Sequence, residues 1–107
     1  MRGLEEFRAG RFFDAHEEWE TLWLESEGDA KLFLQALIQI AAACYHLTRG
    51  NVAPGTRLLS LAERKLAPFG DAYAGIRLDL LRRGITTAQD QLRGGAAPGE
   101  AAKTLWL

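Results

Sequence analysis

The segment RFFDAHEEWETLW, residues 11–23, sets one histidine and three glutamates among four large aromatic residues. His16 and Glu20 are four residues apart, so on a helix they lie one turn apart on the same side. An imidazole and a carboxylate at this spacing could form half of a metal site or an acid–base pair, with Glu17 beside them. This segment is therefore the first candidate for a functional site.

A helical projection at about 100° per residue places Glu20 about 40° from His16. Both residues then fall inside an arc of apolar side chains, and Glu17 falls at its border. The apolar members of this arc are Phe12, Phe13, Trp19, Trp23 and Leu24. The projection predicts two polar groups on the face that the helix turns toward the core.

A second polar stripe lies in KLFLQALIQIAAACYHL, a segment that is apolar almost all round, as a buried central helix is. Gln35, Gln39 and His46 project within about 40° of one another. Buried polar groups cost free energy unless they have partners. The two stripes are therefore predicted to face each other.

The short SEGD turn predicts an antiparallel hairpin of these two helices, in which His16 faces Gln39 and Glu20 faces Gln35. His46 would lie about 10 Å further along the axis than Gln39, at 1.5 Å per residue. Two interpretations stay open. The polar groups form a hydrogen-bond network that fixes the register of the helices, or they form a functional pocket.

For a functional pocket, the candidate metal ligands are His16, Glu20 and His46, and the candidate catalytic groups are Glu17, Glu20 and His46. Zinc favours histidine and cysteine, of which the chain has two and one. Magnesium or manganese suits carboxylates better. The sequence does not identify a cofactor, and a divalent metal ion is the candidate for one. The other predicted pocket residues are Gln35, Gln39 and Asn51.

Gly and Pro residues divide the chain of 107 residues into helical segments, and no segment alternates as a strand does. The predicted fold is an all-α, single-domain bundle of five to six helices over residues 1–107, with a buried central third helix. Asp29, Asp71 and Thr86 or Thr87 are predicted helix caps. The predicted helices cover residues 3–9, 11–25, 30–49, 54–67, 71–83 and 86–93, and an irregular tail over 95–107 docks through Leu105, Trp106 and Leu107.

Charge and composition limit the partners. Residues 1–29 hold nine acids and three bases, residues 30–107 hold five acids and ten bases, and no basic run predicts nucleic-acid binding.

The single Cys44 is expected to be a buried, inert thiol. No export signal is recognised, and the apolar run at 32–47 is too short to span a membrane, so a cytoplasmic protein is expected. The expected partner is a small molecule or a protein, including a second copy of this chain.

FRAGRFFDAHEEWETLW, FLQALIQIAAACYHLTRGN and LLSLAERKL together resemble the family catalogued as domain of unknown function 309, over about residues 4–66. Its His-Glu-x-Trp-Glu signature falls on His16, Glu17, Trp19 and Glu20. A second block falls on Gln35, Leu37, Ile38, Gln39, His46, Gly50 and Asn51, with Ala36 where a glycine is expected. The resemblance implies a small all-helical protein and the label of predicted metal-dependent hydrolase.

Two functions follow as hypotheses. The first is metal-assisted hydrolysis with His16 and Glu20 as ligands, Glu17 as base and His46 as third ligand or proton carrier. The second is a non-catalytic binding or protein-interaction module in which the polar residues are structural. Residues 70–107 carry no motif that bears on either hypothesis.

Overall fold

The computed structural model describes residues 2–105 and 107. Their helices pack around one hydrophobic core, so the predicted all-α fold is confirmed. The elements are α1 (Arg2–Arg8), α2 (Phe12–Leu24), α3 (Gly28–Thr48), α4 (Val52–Leu66), a 3-10 turn (Ala67–Phe69), β1 (Ala72–Tyr73), β2 (Ile76–Arg77), α5 (Leu78–Arg93) and α6 (Pro98–Ala102).

Helix α3 is the centre of the bundle, as its sequence predicted. It packs against α2, α4 and α6, and Leu37, Ile40 and Leu47 are fully buried. Cys44 is also fully buried, and this burial raises the pKa of its thiol to about 12. The prediction of a buried thiol is confirmed, and the high pKa makes the thiol unreactive at neutral pH.

Helix α3 is longer than the apolar run at 32–47, which was predicted to be too short to span a membrane. The helix has 21 residues and a mean hydropathy of 1.3, so by length and composition alone it could cross a membrane. Half of its most apolar stretch is buried inside the fold, and the core helix of a soluble protein meets the same criterion. The helix is therefore only weak support for a membrane span.

A β-hairpin replaces the start of the predicted fifth helix. Strands β1 and β2 pair antiparallel, and Ala74 and Gly75 form the two-residue turn with φ of 51° and 80°. Tyr73 packs with its ring 4.6 Å from the ring of Phe33 on α3. Asp71, predicted to cap a helix with its side chain, instead accepts hydrogen bonds from the chain after β2 through its backbone carbonyl oxygen.

Helix α5 runs without a break through Gly84, where two helices were predicted. Gly84 is buried, and a Cβ there would lie 2.5 Å from the carbonyl oxygen of Thr104. The glycine thus permits a close approach between α5 and the C-terminal segment rather than ending a helix. The predicted cap at Thr86 or Thr87 is wrong for the same reason, since both residues lie inside α5.

The C-terminal segment is more ordered than predicted, because α6 begins with Pro98 at a position where proline suits a helix. Leu105 and Leu107 are buried, so the predicted docking of the tail is confirmed for them. Trp106 lies outside the described residues. The guanidinium of Arg8 donates hydrogen bonds of 3.0 and 2.5 Å to the carbonyl oxygen of Leu107, which ties the tail to α1.

The ends of helices α2 and α3 lie within two residues of their predicted positions. Asp29, predicted as the cap of α3, lies inside its first turn instead, and Glu27 occupies the cap without a side-chain hydrogen bond. Helix α4 begins at Val52, two residues before the predicted Pro54.

Candidate functional site

Helix α2 buries only one side. Ala15 and Trp19 are fully buried, and Phe12 and Trp23 are partly buried against the core. Phe13 and Leu24, by contrast, are 53% and 69% exposed. The buried arc is therefore centred on the Trp19 side, and the predicted arc was wrong because it counted Phe13 and Leu24 as core residues.

His16 and Glu20 consequently lie at the surface. His16 Nδ1 is 3.5 Å from Glu20 Oε2, and the two side chains are 29% and 54% exposed. The two side chains lie close together, as their spacing of four residues predicted, but their predicted burial is wrong. No polar or charged side chain in the ranges 2–105 and 107 belongs to the buried class.

The predicted hydrogen bonds across the hairpin do not form in the described part of the chain. Gln35 and Gln39 are half-buried on α3, but Gln39 Oε1 is buried without a hydrogen-bond partner. Trp23 Nε1 is buried without a partner as well. The network that was predicted to fix the helix register is therefore not present between His16 and Gln39.

Glu17 lies on the exposed part of α2. Its carbonyl oxygen accepts a hydrogen bond of 3.1 Å from the Thr21 hydroxyl. Its side chain is exposed and lines a shallow acidic depression between α1 and α2. The lining residues are Arg2, Glu6, Asp14, Glu17, Glu18 and Thr21.

His46 and Asn51 meet at the turn between α3 and α4. Asn51 Nδ2 lies 3.4 Å from His46 Nδ1, and the Asn51 backbone N–H donates to the His46 carbonyl oxygen at 2.8 Å. Gly50 between them has a φ of 81°, which is the backbone conformation that this tight turn requires. The structure thus brings together two of the predicted pocket residues.

Aromatic rings connect the two histidines. The Phe13 ring stacks on the His16 ring at 6.3 Å and contacts the Tyr45 ring at 5.7 Å, and Tyr45 lies 6.2 Å from the His46 ring. The Arg49 guanidinium lies 5.3 Å from the Tyr45 ring centre. The surface positions of Phe13 and Tyr45 were not predicted from the sequence. The signal for Phe13 was its projection between Glu20 and Glu17, two charged residues that are exposed to water.

A catalytic zinc ion does not fit these side chains as they stand. His16 and Glu20 provide two donors, whereas catalytic zinc sites use three protein ligands. No group of three His, Cys, Asp or Glu side chains that could hold a metal ion exists among the described positions. His16, Glu20 and His46 are therefore not assembled as a ligand set, and the metal site stays a prediction that requires a further donor to approach the pair.

Five of the surface cavities in the described part of the chain lie away from His16, Glu20 and His46. One of about 460 Å³ is bounded by Leu22, Phe33, Leu34 and Tyr73, where α2 and α3 meet the hairpin. None of the five is lined by His16, Glu20, Gln35, Gln39 or His46. The candidate site is thus a surface formed by α2 and α3, which we call the α2–α3 face: Phe13, His16, Glu20, Leu24, Gln35, Gln39, Tyr45 and His46.

The chain matches the sequence model of a protein family. No curated protein and no solved structure matches the chain. The sequence model of a family described as a domain of unknown function, DUF309, matches residues 1–58, which include α1 to α3 and every residue of the α2–α3 face. The chain belongs to this family.

Proposed function

We propose that the protein is a helical interaction module that binds a partner protein on the α2–α3 face. The observation that carries this proposal is the exposure of Phe13 and Leu24 on the side of α2 that also presents His16 and Glu20. Large apolar side chains grouped on an exposed helix face are typical of protein-binding surfaces.

The arrangement supports binding better than catalysis because its polar groups do not converge. Glu17 lines the depression between α1 and α2, which neither His16 nor Glu20 lines, and His46 hydrogen-bonds with Asn51. A general base, a ligand set and a bound substrate must lie within about 3 Å of one reacting group. A flat face of polar and apolar side chains needs no such convergence.

Site-specific photo-crosslinking tests this proposal. A photoreactive phenylalanine analogue is placed at Phe13 or at Leu24, in cells of the organism that encodes the chain. The matched control is Leu80, an exposed leucine on α5 that is 42% exposed. We expect one discrete crosslinked polypeptide from Phe13 and Leu24 and none from Leu80. Equal crosslinking at all three positions, or none, would contradict the proposal.

A second candidate function is hydrolysis of an ester or phosphoester by acid–base catalysis. The specific observation in its favour is the His16–Glu20 pair, since a carboxylate 3.5 Å from an accessible imidazole can orient that imidazole as a general base. The hydrolase label that the family resemblance implies points the same way. A metal would supply an activated water, but the described residues provide only two of its ligands.

Generic ester and phosphoester substrates separate the two functions. Hydrolysis by the purified protein that falls at least about a hundredfold in both His16→Gln and Glu20→Gln would favour the enzyme. Hydrolysis that persists in both variants would show a contaminating activity. Glu18→Gln is the control, because Glu18 lies on the other side of α2, beside α1.

A further inference from the structure

One line of side chains on α2 combines apolar and acidic groups. Phe13, Glu17, Glu20 and Leu24 are spaced four, three and four residues apart, so they project within about 60° of one another and extend for about 16 Å. All four are exposed. We call this line the α2 stripe.

No lysine or arginine forms an ion pair with Glu17 or Glu20 in the described part of the chain. Helix α2 contains no lysine or arginine. Among the described contacts, one basic side chain lies within 4 Å of a stripe carboxylate: His16 Nδ1 is 3.5 Å from Glu20 Oε2. Three cations near α2 contact other groups: Lys31 lies over the Trp23 ring, Arg49 lies near the Tyr45 ring, and Arg11 pairs with Glu6. Arg2 lines the same depression as Glu17, but no ion pair joins the two among the described contacts.

The order of charges along the stripe argues against a second copy as its partner. If two copies of α2 packed antiparallel, Glu17 of one would lie opposite Glu20 of the other. Parallel packing would place each glutamate opposite itself. Both arrangements bring four carboxylates together, and like charges at a contact are repulsive. Nucleic acids and anionic membrane surfaces are repelled for the same reason.

We propose that the α2 stripe binds a basic amphipathic helix of another polypeptide. This inference rests on the proposed interaction function and names its partner class. Two apolar residues of the partner, separated as Phe13 and Leu24 are, would contact these side chains. Lysine or arginine residues between them would pair with Glu17 and Glu20. Such helix packing follows the ridge-and-groove spacing of helix pairs, and the apolar contacts would exclude water from the ion pairs.

A synthetic helical peptide tests the partner class. The probe is an alanine-based helix with two leucines at the separation of Phe13 and Leu24 and lysines between them, and the control peptide has the same residues in scrambled order. Binding is measured by calorimetry at two salt concentrations. We expect the patterned peptide to bind at least about tenfold more tightly than the scrambled one, and more weakly at high salt.

Matched variants assign the binding to the stripe. We expect Glu17→Gln with Glu20→Gln, and separately Phe13→Ser with Leu24→Ser, to weaken binding at least about tenfold. The control is Glu25→Gln with Glu27→Gln, two exposed acids outside the stripe, which removes the same charge and should change binding less than about twofold.

Three outcomes would overturn the inference. They are equal binding of the two peptides, equal losses in the stripe and control charge variants, and a dimer in sedimentation experiments that Leu24→Ser dissociates. The last outcome would identify a second copy as the occupant. If photo-crosslinking at Leu24 captured a polypeptide without a basic helix, the interaction function would stand and only the partner class would fall. If no position crosslinked, both would fall.

Discussion

Helices α2 and α5 are both amphipathic, but they use their apolar residues differently. In α5, Leu78, Leu81, Ile85 and Ala88 are fully buried, and Leu80 is its one large apolar side chain among the exposed residues described. In α2, only Ala15 and Trp19 are fully buried, whereas Phe13, Leu22 and Leu24 are exposed. Core packing thus explains the positions of the apolar residues in α5, whereas α2 has apolar residues that do not pack in the core.

The largest expected difference between the two helices comes from the same substitution in each. Leu81→Ala in α5 should lower the free energy of unfolding by about 2–5 kcal/mol, because it leaves a cavity at a fully buried position. Leu24→Ala in α2 should change it by less than about 0.5 kcal/mol, because Leu24 is 69% exposed. Urea denaturation measures both values. Similar losses in the two variants would mean that Leu24 belongs to the core.

The next largest loss of stability is expected where α5 contacts the C-terminal segment. Gly84→Ala should destabilise the protein by roughly 1–3 kcal/mol, because its Cβ would meet the Thr104 carbonyl oxygen at 2.5 Å, which is backbone and cannot turn away. Gly99→Ala in α6 is the control, since a Cβ there meets nothing within 4 Å. Thermal melts compare the two variants, and an unchanged midpoint for Gly84→Ala would refute the close approach.

A substitution at Gln39 tests whether the half-buried polar side chains of α3 contribute to the free energy of unfolding. Gln39→Leu should leave the free energy of unfolding unchanged or raise it by up to about 1 kcal/mol, because the side-chain oxygen is buried without a partner. A loss of more than about 1 kcal/mol would instead indicate a hydrogen bond to Gln39. The double variant with His16→Leu would then show whether His16 provides that bond, since coupled residues give non-additive changes.

A substitution in the β-hairpin before α5 should change the free energy of unfolding by a smaller amount, and in this case increase it. Ala74 has a φ of 51°, a left-handed conformation that costs alanine free energy. Ala74→Asn creates the Asn-Gly pair that this turn type favours, and should raise the free energy of unfolding by on the order of 0.5 kcal/mol. Chemical denaturation checks the gain, and Ala72→Asn, which lies in β1 rather than in the turn, is the control.

The smallest effect concerns the ion pair at the start of α5. Hydrogen bonds from Arg77 lower the pKa of Asp79 below its ordinary value. A lowered folded-state pKa contributes stability above the unfolded-state pKa of about 4, and this contribution disappears as the pH falls through the folded-state value. Arg77→Gln should therefore be slightly less stable than the native protein at pH 6, and the difference should shrink as the pH falls below about 4.

Part of the candidate site could be predicted because the His16–Glu20 pair depends on spacing within one helix. The pairing of Asn51 with His46 was foreseen only as membership of one pocket, since it depends on the path of the turn at Gly50. The burial of Glu20 was predicted wrongly, because a projection ranks the faces of a helix but does not count its neighbours. Among the described elements, only α1 and α3 pack extensively against α2, so its buried arc is smaller than its apolar residues suggest.

The sequence by itself determined the all-α class, the central α3 and the spacing of chemical groups along α2, because these follow from local periodicity and from Gly and Pro positions. Tertiary structure decided the continuous α5, the β-hairpin and the exposed face of α2. Gly84 allows a close backbone contact instead of ending a helix, and Tyr73 packs on Phe33 across a long separation in the chain. Such contacts between distant segments override local propensity, because burial against a neighbour contributes more free energy than a residue's intrinsic preference.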